Sequence, residues 1–413
     1  MSRRSFVGYV VGGTSFMVAA DLAIGAPPAQ AAIPIPSVPQ VPEIYDLGDF
    51  LTHCALPTSA LIGIQIDDAG DAHFALPRME VGQGITTAFA MLIADELDLP
   101  IERVHMTLAP ARPELLFNQL TGASNSMVSL YTPVRVAAAV ARKSLLEAAA
   151  ILLGGQVNSL VAKLGVISLP SGESVTYGEA AKKAASPTGK KVKVEIKDKS
   201  ELKLVGKPHK RIDALDAVTG RKQFAMDLDV PDALPTMVCR APDLNGKALS
   251  VRNEAAVKAM PGVTHVGIIE TGVAVRAATF GQCIDAVRAL DVEWQAGTVP
   301  GKDSAEVLKQ LRGSQLPLAV PKLGASSVEG EFVFHFRSGS ALEPNCAVAD
   351  VRSDSATVWS GLKSPITAQG LIAKATGLPQ GKVTVNVVQG GGSFGRKLFS
   401  DAAVEAARAS KAF

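Results

Sequence analysis

Gln389-Gly390-Gly391-Gly392-Ser393-Phe394-Gly395-Arg396-Lys397 is the stretch on which the reading of this chain turns. It follows an alternating, strand-like run from Val383 to Val388 and precedes a helical pattern from Asp401 to Ala409. Glycine at 390, 391, 392 and 395 lets the backbone enter conformations closed to other residues and brings its N–H groups against a ligand. Arg396 and Lys397 add positive charge beside it. A strand, a bare loop and a helix in that order suit an anionic, phosphate-bearing partner. The spacing does not make a Walker A loop, because Arg396-Lys397-Leu398 leaves the lysine and the magnesium-binding hydroxyl out of place. Gly390-x-Gly392-x-x-Gly395 does satisfy the dinucleotide fingerprint, but the acidic residue expected about 20 positions later would fall beyond Phe413. A Rossmann-type NAD-binding protein is therefore one alternative, and a glycine-rich turn without a ligand is another.

Working outward, a second bare patch lies at Glu80-Val81-Gly82-Gln83-Gly84, after strand patterns at 60–66 and 73–76 and before a helix ending near Leu97. Glycines on both sides of Gln83 at a helix N-terminus predict exposed N–H donors and a second anion site. Glu80 reads as a solvated charge at a strand end. After a strand at 103–108, the loop Asn118 to Ser126 carries hydroxyls and amides. Thr132-Pro133 then predicts the start of a long Ala-rich helix running to Gly154-Gly155, with proline in the first turn. Residues 156–205 read as a small β-containing segment with a short helix at Tyr177. The lysines from 190 to 203 read as a solvated face.

A new module begins near Val205. A strand pair is predicted over 223–240, helices over 253–260 and 280–290, and strands at 265–269, 273–277 and 292–295. The Gly-, Pro- and Ser-rich residues 296–326 read as a linker. Strands at 347–351 and 356–360 and a helix opening at Gly361-Leu362-Lys363-Ser364-Pro365 lead into the glycine loop.

The chain has 413 residues, 47% of them hydrophobic and 19% charged, with a net charge of +2, which excludes general disorder and argues against a nucleic-acid partner. Cys54, Cys239, Cys283 and Cys346 form no Cys-x-x-Cys, and the histidines form no His-x-x-x-His, so neither an iron–sulfur cluster nor a structural zinc is encoded. Free thiols are the expectation. Ser2-Arg3-Arg4-Ser5-Phe6 is a twin-arginine motif, followed by an apolar run too weak to span a membrane and a small-x-small site at Ala29-Gln30-Ala31. Export to the periplasm by the twin-arginine route, around a cofactor inserted before export, is the expectation.

In this order, Glu80 to Gly84, Asn118 to Ser126, Arg211-Ile212-Asp213 with Val218-Thr219-Gly220, Leu342-Glu343-Pro344 and Gly390 to Gly395 make the chain resemble the molybdenum-cofactor large subunits of the xanthine dehydrogenase and aldehyde oxidase family, closest to the branch of the isoquinoline 1-oxidoreductase β-subunits. The resemblance implies an α+β fold of molybdopterin-binding domains in permuted order with an inserted α/β hammerhead module. Its expected divisions are a signal peptide at 1–31, an extended arm at 32–57, the first part of the cofactor domain at 58–205, the hammerhead at 206–300, a linker at 301–326 and a second, truncated cofactor domain at 327–413.

The resemblance further implies a molybdopterin, in the cytosine dinucleotide form, that holds molybdenum without a protein ligand. Gly82, Gln83, Gly84, Thr121, Gly122, Ser124, Ser126, Gly391, Gly392, Phe394, Gly395 and Arg396 would bind that cofactor. Lys363 and Glu343 would line the substrate pocket, although a purely structural turn reads equally well for Glu343. The implied reaction is hydroxylation of an aldehyde or N-heteroaromatic carbon with water as the oxygen source. The implied partners are a small 2Fe–2S subunit, an electron acceptor such as a cytochrome and a C-terminal companion chain. Three departures stand out: Lys363 replaces the family's glutamine, Ser393 enlarges the glycine loop, and the general-base glutamate is expected beyond the end of this chain. An inactive fragment or scaffold of the family is the alternative these departures raise.

Overall fold

The computed structural model describes residues 7–11, 16–21, 62–113, 115, 119–184, 194–299, 301–316, 328, 330–335 and 337–413. The expected arm at 32–57, the small-residue site at 29–31 and Asn118 lie outside them. The chain divides into two compact units, Met1–Asp229 with Ser340–Ala407, and Val230–Gly339 with Arg408–Phe413.

The first unit opens with strands β1 (Val7–Val11) and β2 (Phe16–Asp21), which lie within the stretch read as a leader. They join β3 (Ile62–Ile66), β4 (Ala72–Leu76) and β5 (Val104–Leu108) in one sheet ordered β1-β2-β3-β4-β5, antiparallel except for the parallel pair β4–β5. The period-2 alternation of apolar residues explains the sheet's burial. Ile62, Ile64 and Ile66 on β3 and Ala72, Phe74 and Leu76 on β4 are all at most 2% exposed, and each large side chain contributes about 1.5–3 kcal/mol. They pack against α1 (Ile85–Leu97) and α2 (Asn125–Leu153) in one core.

Helix α2 begins earlier than the sequence predicts, at Asn125, and Pro133 lies inside it. Tertiary burial explains the difference. Asn125, Ser129 and Leu130 are no more than 1% exposed, so packing of the first two turns outweighs the hydrogen bond that proline cannot donate. Small strands β6 (Val161–Lys163), β7 (Val166–Ser168) and β8 (Ser174–Thr176) and helix α3 (Tyr177–Ala184) follow. The lysine-rich stretch beyond them is not wholly solvated. Lys197 is withdrawn from solvent and pairs with Asp98 at 2.6 Å, while the Asp95 carboxylate accepts the N–H groups of Lys203, Leu204 and Val205. The one-turn helix α4 (Ala214–Val218) follows Asp213.

Of the strand pair predicted over 223–240, one strand forms, β9 (Thr236–Cys239), in the second unit. The Asp227 carboxylate accepts the Phe224 N–H at 2.9 Å and closes a turn over 225–227 where the first strand was expected. A strand missed in the sequence, β10 (Lys247–Val251), precedes helix α5 (Glu254–Lys258), strands β11 (Val263–Ile269) and β12 (Gly272–Ala277), helix α6 (Phe280–Ala289) and strand β13 (Val292–Gln295). Strands β11-β12-β9 form one sheet and β10-β13 a ribbon. The expected linker contains a helix, α7 (Ser304–Gly313), because Asp303 caps it by accepting the N–H groups of Ala305 and Glu306 and the residues after it are good helix formers.

The chain then returns to the first unit as a second layer. Strands β14 (Ala347–Val351), β15 (Ala356–Ser360) and β16 (Val383–Val387) form a sheet in which β15 and β16 are parallel, joined through helix α8 (Pro365–Thr376). The glycine loop connects β16 to the final helix α9 (Asp401–Ala412). Among the described residues, no helix is long and apolar enough to cross a membrane.

Candidate functional site

The two bare patches, more than 300 positions apart in the chain, meet directly: the Gly390 N–H donates to the Glu80 carbonyl at 2.8 Å. A chain of bonds extends the junction. Thr121 is buried, its Oγ1 accepts the Met79 N–H at 2.8 Å, and its own N–H donates to the Lys363 carbonyl at 2.8 Å. The Lys363 N–H in turn donates to the Lys397 carbonyl at 2.9 Å. Four loops, around residues 80, 121, 363 and 395, are thereby fastened into one assembly.

Glu80 is the main correction within it. The carboxylate expected in solvent is fully buried, at 0% exposure. Its Oε1 accepts the N–H groups of Gly82 and Gly84 at 2.7 and 3.0 Å, and its Oε2 accepts the N–H and hydroxyl of Thr86 at 3.2 and 3.1 Å. The donors predicted to meet an external anion are thus already occupied by an internal one. The Gln83 side chain folds back too, donating to the Met79 carbonyl and accepting the Val81 N–H. Arg211 seals the outside of this loop. It donates to the Gly82 carbonyl at 2.7 Å and holds Asp213 with two bonds of 2.8 Å, while Lys222 also reaches Asp213 at 2.6 Å. The Arg211 and Lys222 cations keep the Asp213 carboxyl far below the usual carboxylate range, and Asp213 raises the pKa of Arg211.

The glycine loop is built around a buried ion pair. Lys397, 1% exposed, reaches Glu343 Oε2 at 2.8 Å, and the same oxygen accepts the Gly391 N–H at 2.8 Å. Glycine is required at 391, where a Cβ would stand 2.7 Å from Glu343 Cβ, and a Cβ on Gly390 would push on the end of Met79, 2.6 Å away. Gly392 and Gly395 have φ values of 106° and 86°, and Phe394 holds a left-handed conformation at 48° with its ring 77% exposed. Arg396 points away from the loop onto Asp401, at 2.7 Å, which raises its pKa. Ser124 is exposed with a positive φ, immediately before α2. Ser126 sits in the helix's first turn, and the Gly122 N–H donates to Asn125 Oδ1 at 3.3 Å. Burial, together with Glu343, pushes the nearby Cys346 thiol up to about 11.

Open valences remain at this junction. Among the described residues, the N–H groups of Gly392, Ser393, Phe394 and Gly395 have no acceptor. Among the same residues, the buried Glu343 Oε1 and Gln389 Oε1 have no donor. An unmet buried oxygen costs about 1–3 kcal/mol, so the site is complementary to a group carrying both N–H donors and anionic oxygens. A pterin with a phosphate tail has both, and the residues present fit it. Sequence reasoning read Glu80 as solvated and Lys397 as positive charge open to a ligand, whereas Lys397 is taken up by Glu343, and it did not single out Gln389. The two- and four-residue spacing of Glu80 from Gly82 and Gly84 was the signal available for the first of these.

Comparisons with known proteins give the class to which the chain belongs. Residues 46–217 and 321–413 each match a family model described as a molybdopterin cofactor-binding domain. The class is thus that of molybdopterin cofactor-binding proteins. Within that class, the chain belongs to the molybdenum-cofactor-binding subunits of the xanthine dehydrogenase and aldehyde oxidase family. It is 27% identical over 84% of its length to a nicotinate dehydrogenase subunit of Pseudomonas putida, and 28% identical over 98% of its length to the β-subunit of isoquinoline 1-oxidoreductase from Brevundimonas diminuta. The chain spans 31% and 57% of the lengths of these two relatives. Among solved structures, quinoline 2-oxidoreductase from Pseudomonas putida 86 aligns with a TM-score of 0.36 at 18% identity, over 47% of this chain and 31% of that one.

Proposed function

We propose that this chain supplies the cofactor cradle of an exported molybdenum hydroxylase acting on an aldehyde or N-heteroaromatic carbon, with water as the oxygen source. The observation that carries the reading is the direct fastening of the Glu80 and Gly390 loops, which leaves four backbone donors and two buried acceptors unmet at one junction. The N–H groups of residues 392–395 would bind the cofactor's anionic oxygens. Glu343 Oε1 and Gln389 Oε1 would accept from its ring N–H groups. Lys397 orients the Glu343 carboxylate for that task through their 2.8 Å contact, and Phe394 shields the open side of the loop. When bound, the molybdenum centre supplies a Lewis acid and a two-electron sink for the hydroxylation. The twin-arginine motif, the cytosine dinucleotide form of the cofactor, a small 2Fe–2S subunit, a companion C-terminal chain, a cytochrome acceptor and a hammerhead role for the second unit belong to the same proposal, supported by the family resemblance.

The test is chemical analysis of the purified chain, alone and co-produced with an iron–sulfur subunit of this family. About one molybdenum and one pterin per chain are expected, with CMP released on acid hydrolysis. Absence of molybdenum and pterin from both preparations would sink the reading.

A further inference from the structure

Lys363 is out of keeping with the other lysines that the fold withdraws from water. Lys197 sits on Asp98 at 2.6 Å, Lys222 on Asp213 at 2.6 Å and Lys397 on Glu343 at 2.8 Å. Among the described residues, the half-buried Lys363 ammonium has neither a carboxylate nor a hydrogen-bond acceptor. Its backbone is nevertheless fixed on both sides, to the Thr121 N–H and to the Lys397 carbonyl, and the neighbouring Ser364 hydroxyl donates to the Leu398 carbonyl at 2.6 Å. Leu362, one residue earlier, points into the core at 2% exposure. The chain therefore anchors the backbone that carries this cation at the junction of the loops that form the proposed cradle. Partial burial of an ammonium without a counter-ion costs free energy, which an anion supplied from outside offsets. Burial lowers the Lys363 pKa.

We propose that Lys363 is an oxyanion-recognition residue whose ammonium pairs with a phosphate or carboxylate oxygen of the molecule held between the Thr121 and Lys397 loops. The inference rests on the cradle proposed above and deepens it, since it assigns a charge requirement to that molecule. Two sources fit the chemistry: a phosphate of the cofactor, or the carboxylate of an acidic aromatic substrate.

The experiment compares the wild-type chain with K363Q, K363M and the charge-retaining K363R, each checked for an unchanged thermal midpoint. Bound pterin per chain is measured, and inorganic phosphate, benzoate and neutral benzamide are titrated calorimetrically. A charge-assisted bond of this kind predicts roughly tenfold or greater weakening in K363Q and K363M, with K363R restoring most of the loss and benzamide unaffected. Loss of pterin and phosphate binding with benzoate unchanged identifies the cofactor phosphate as the source. Loss of benzoate binding with pterin unchanged identifies a substrate carboxylate. If all four proteins bind both anions alike and carry equal pterin, the assignment of Lys363 is overturned. A wild-type chain that carries no pterin counts against the proposed function, and the role of Lys363 is then decided by the phosphate and benzoate titrations alone.

Discussion

Glu80 determines what the Gly82–Gly84 loop can do. Its carboxylate takes both glycine N–H groups and the head of α1, so the loop offers shape rather than a free anion hole. Glu80→Gln keeps the volume but leaves one acceptor oxygen for donors that two oxygens now serve. A loss of about 1.5–3 kcal/mol in urea unfolding is expected, as for hydrogen bonds to a charged group. A change below about 0.5 kcal/mol would show that the carboxylate does not organise the loop. The residue types of the cradle were legible in the sequence, since glycines at 82, 84, 390, 391, 392 and 395 stand where bare backbone is used. The burial of Glu80 was not legible, because a carboxylate beside glycines looks the same whether it faces water or its own backbone.

At the level of elements, the glycine loop is a connection between β16 and α9 held from beneath by a salt bridge. Removing one member of a buried pair strands the other, so Lys397→Met is expected to cost about 3–5 kcal/mol. The double variant Glu343→Gln, Lys397→Met should recover part of that loss, because no uncompensated charge remains. Chemical denaturation of the two single variants and the double variant measures the coupling, and strictly additive losses would refute it. Elements with clean periodicity, such as β3, β4 and β14 to β16, could be read directly from alternating apolar residues. The start of α2 and the helix over 304–313 could not. In the first case tertiary packing overrides a proline, and in the second a capping aspartate organises a stretch whose composition resembles a linker.

Across the whole molecule, the first unit is assembled from two separated lengths of chain, and long-range polar ties hold the site together. Arg211 reaches back to Gly82 and is itself gripped by Asp213. Because the folded pKa of Asp213 lies below its unfolded value, its contribution is complete above about pH 4 and is lost as pH falls towards the folded pKa. The difference in urea midpoint between wild type and Asp213→Asn should be constant from about pH 5 to 8 and shrink below about pH 4. A difference that stays flat in acid would remove the linkage.

The sequence by itself determined where most strands and helices fall, the order of the motifs and the two glycine patches, because periodicity and glycine's freedom are local properties of the chain; the α+β class came with the resemblance those motifs carry. Only the tertiary structure decided that the Glu80 carbonyl receives the Gly390 N–H, that Glu343 and Lys397 pair beneath the loop, and that Lys363 has no counter-ion among the described residues. Those facts depend on which distant side chains share a desolvated space, and in that space Coulomb and hydrogen-bond energies are set by neighbours that sequence spacing does not reveal.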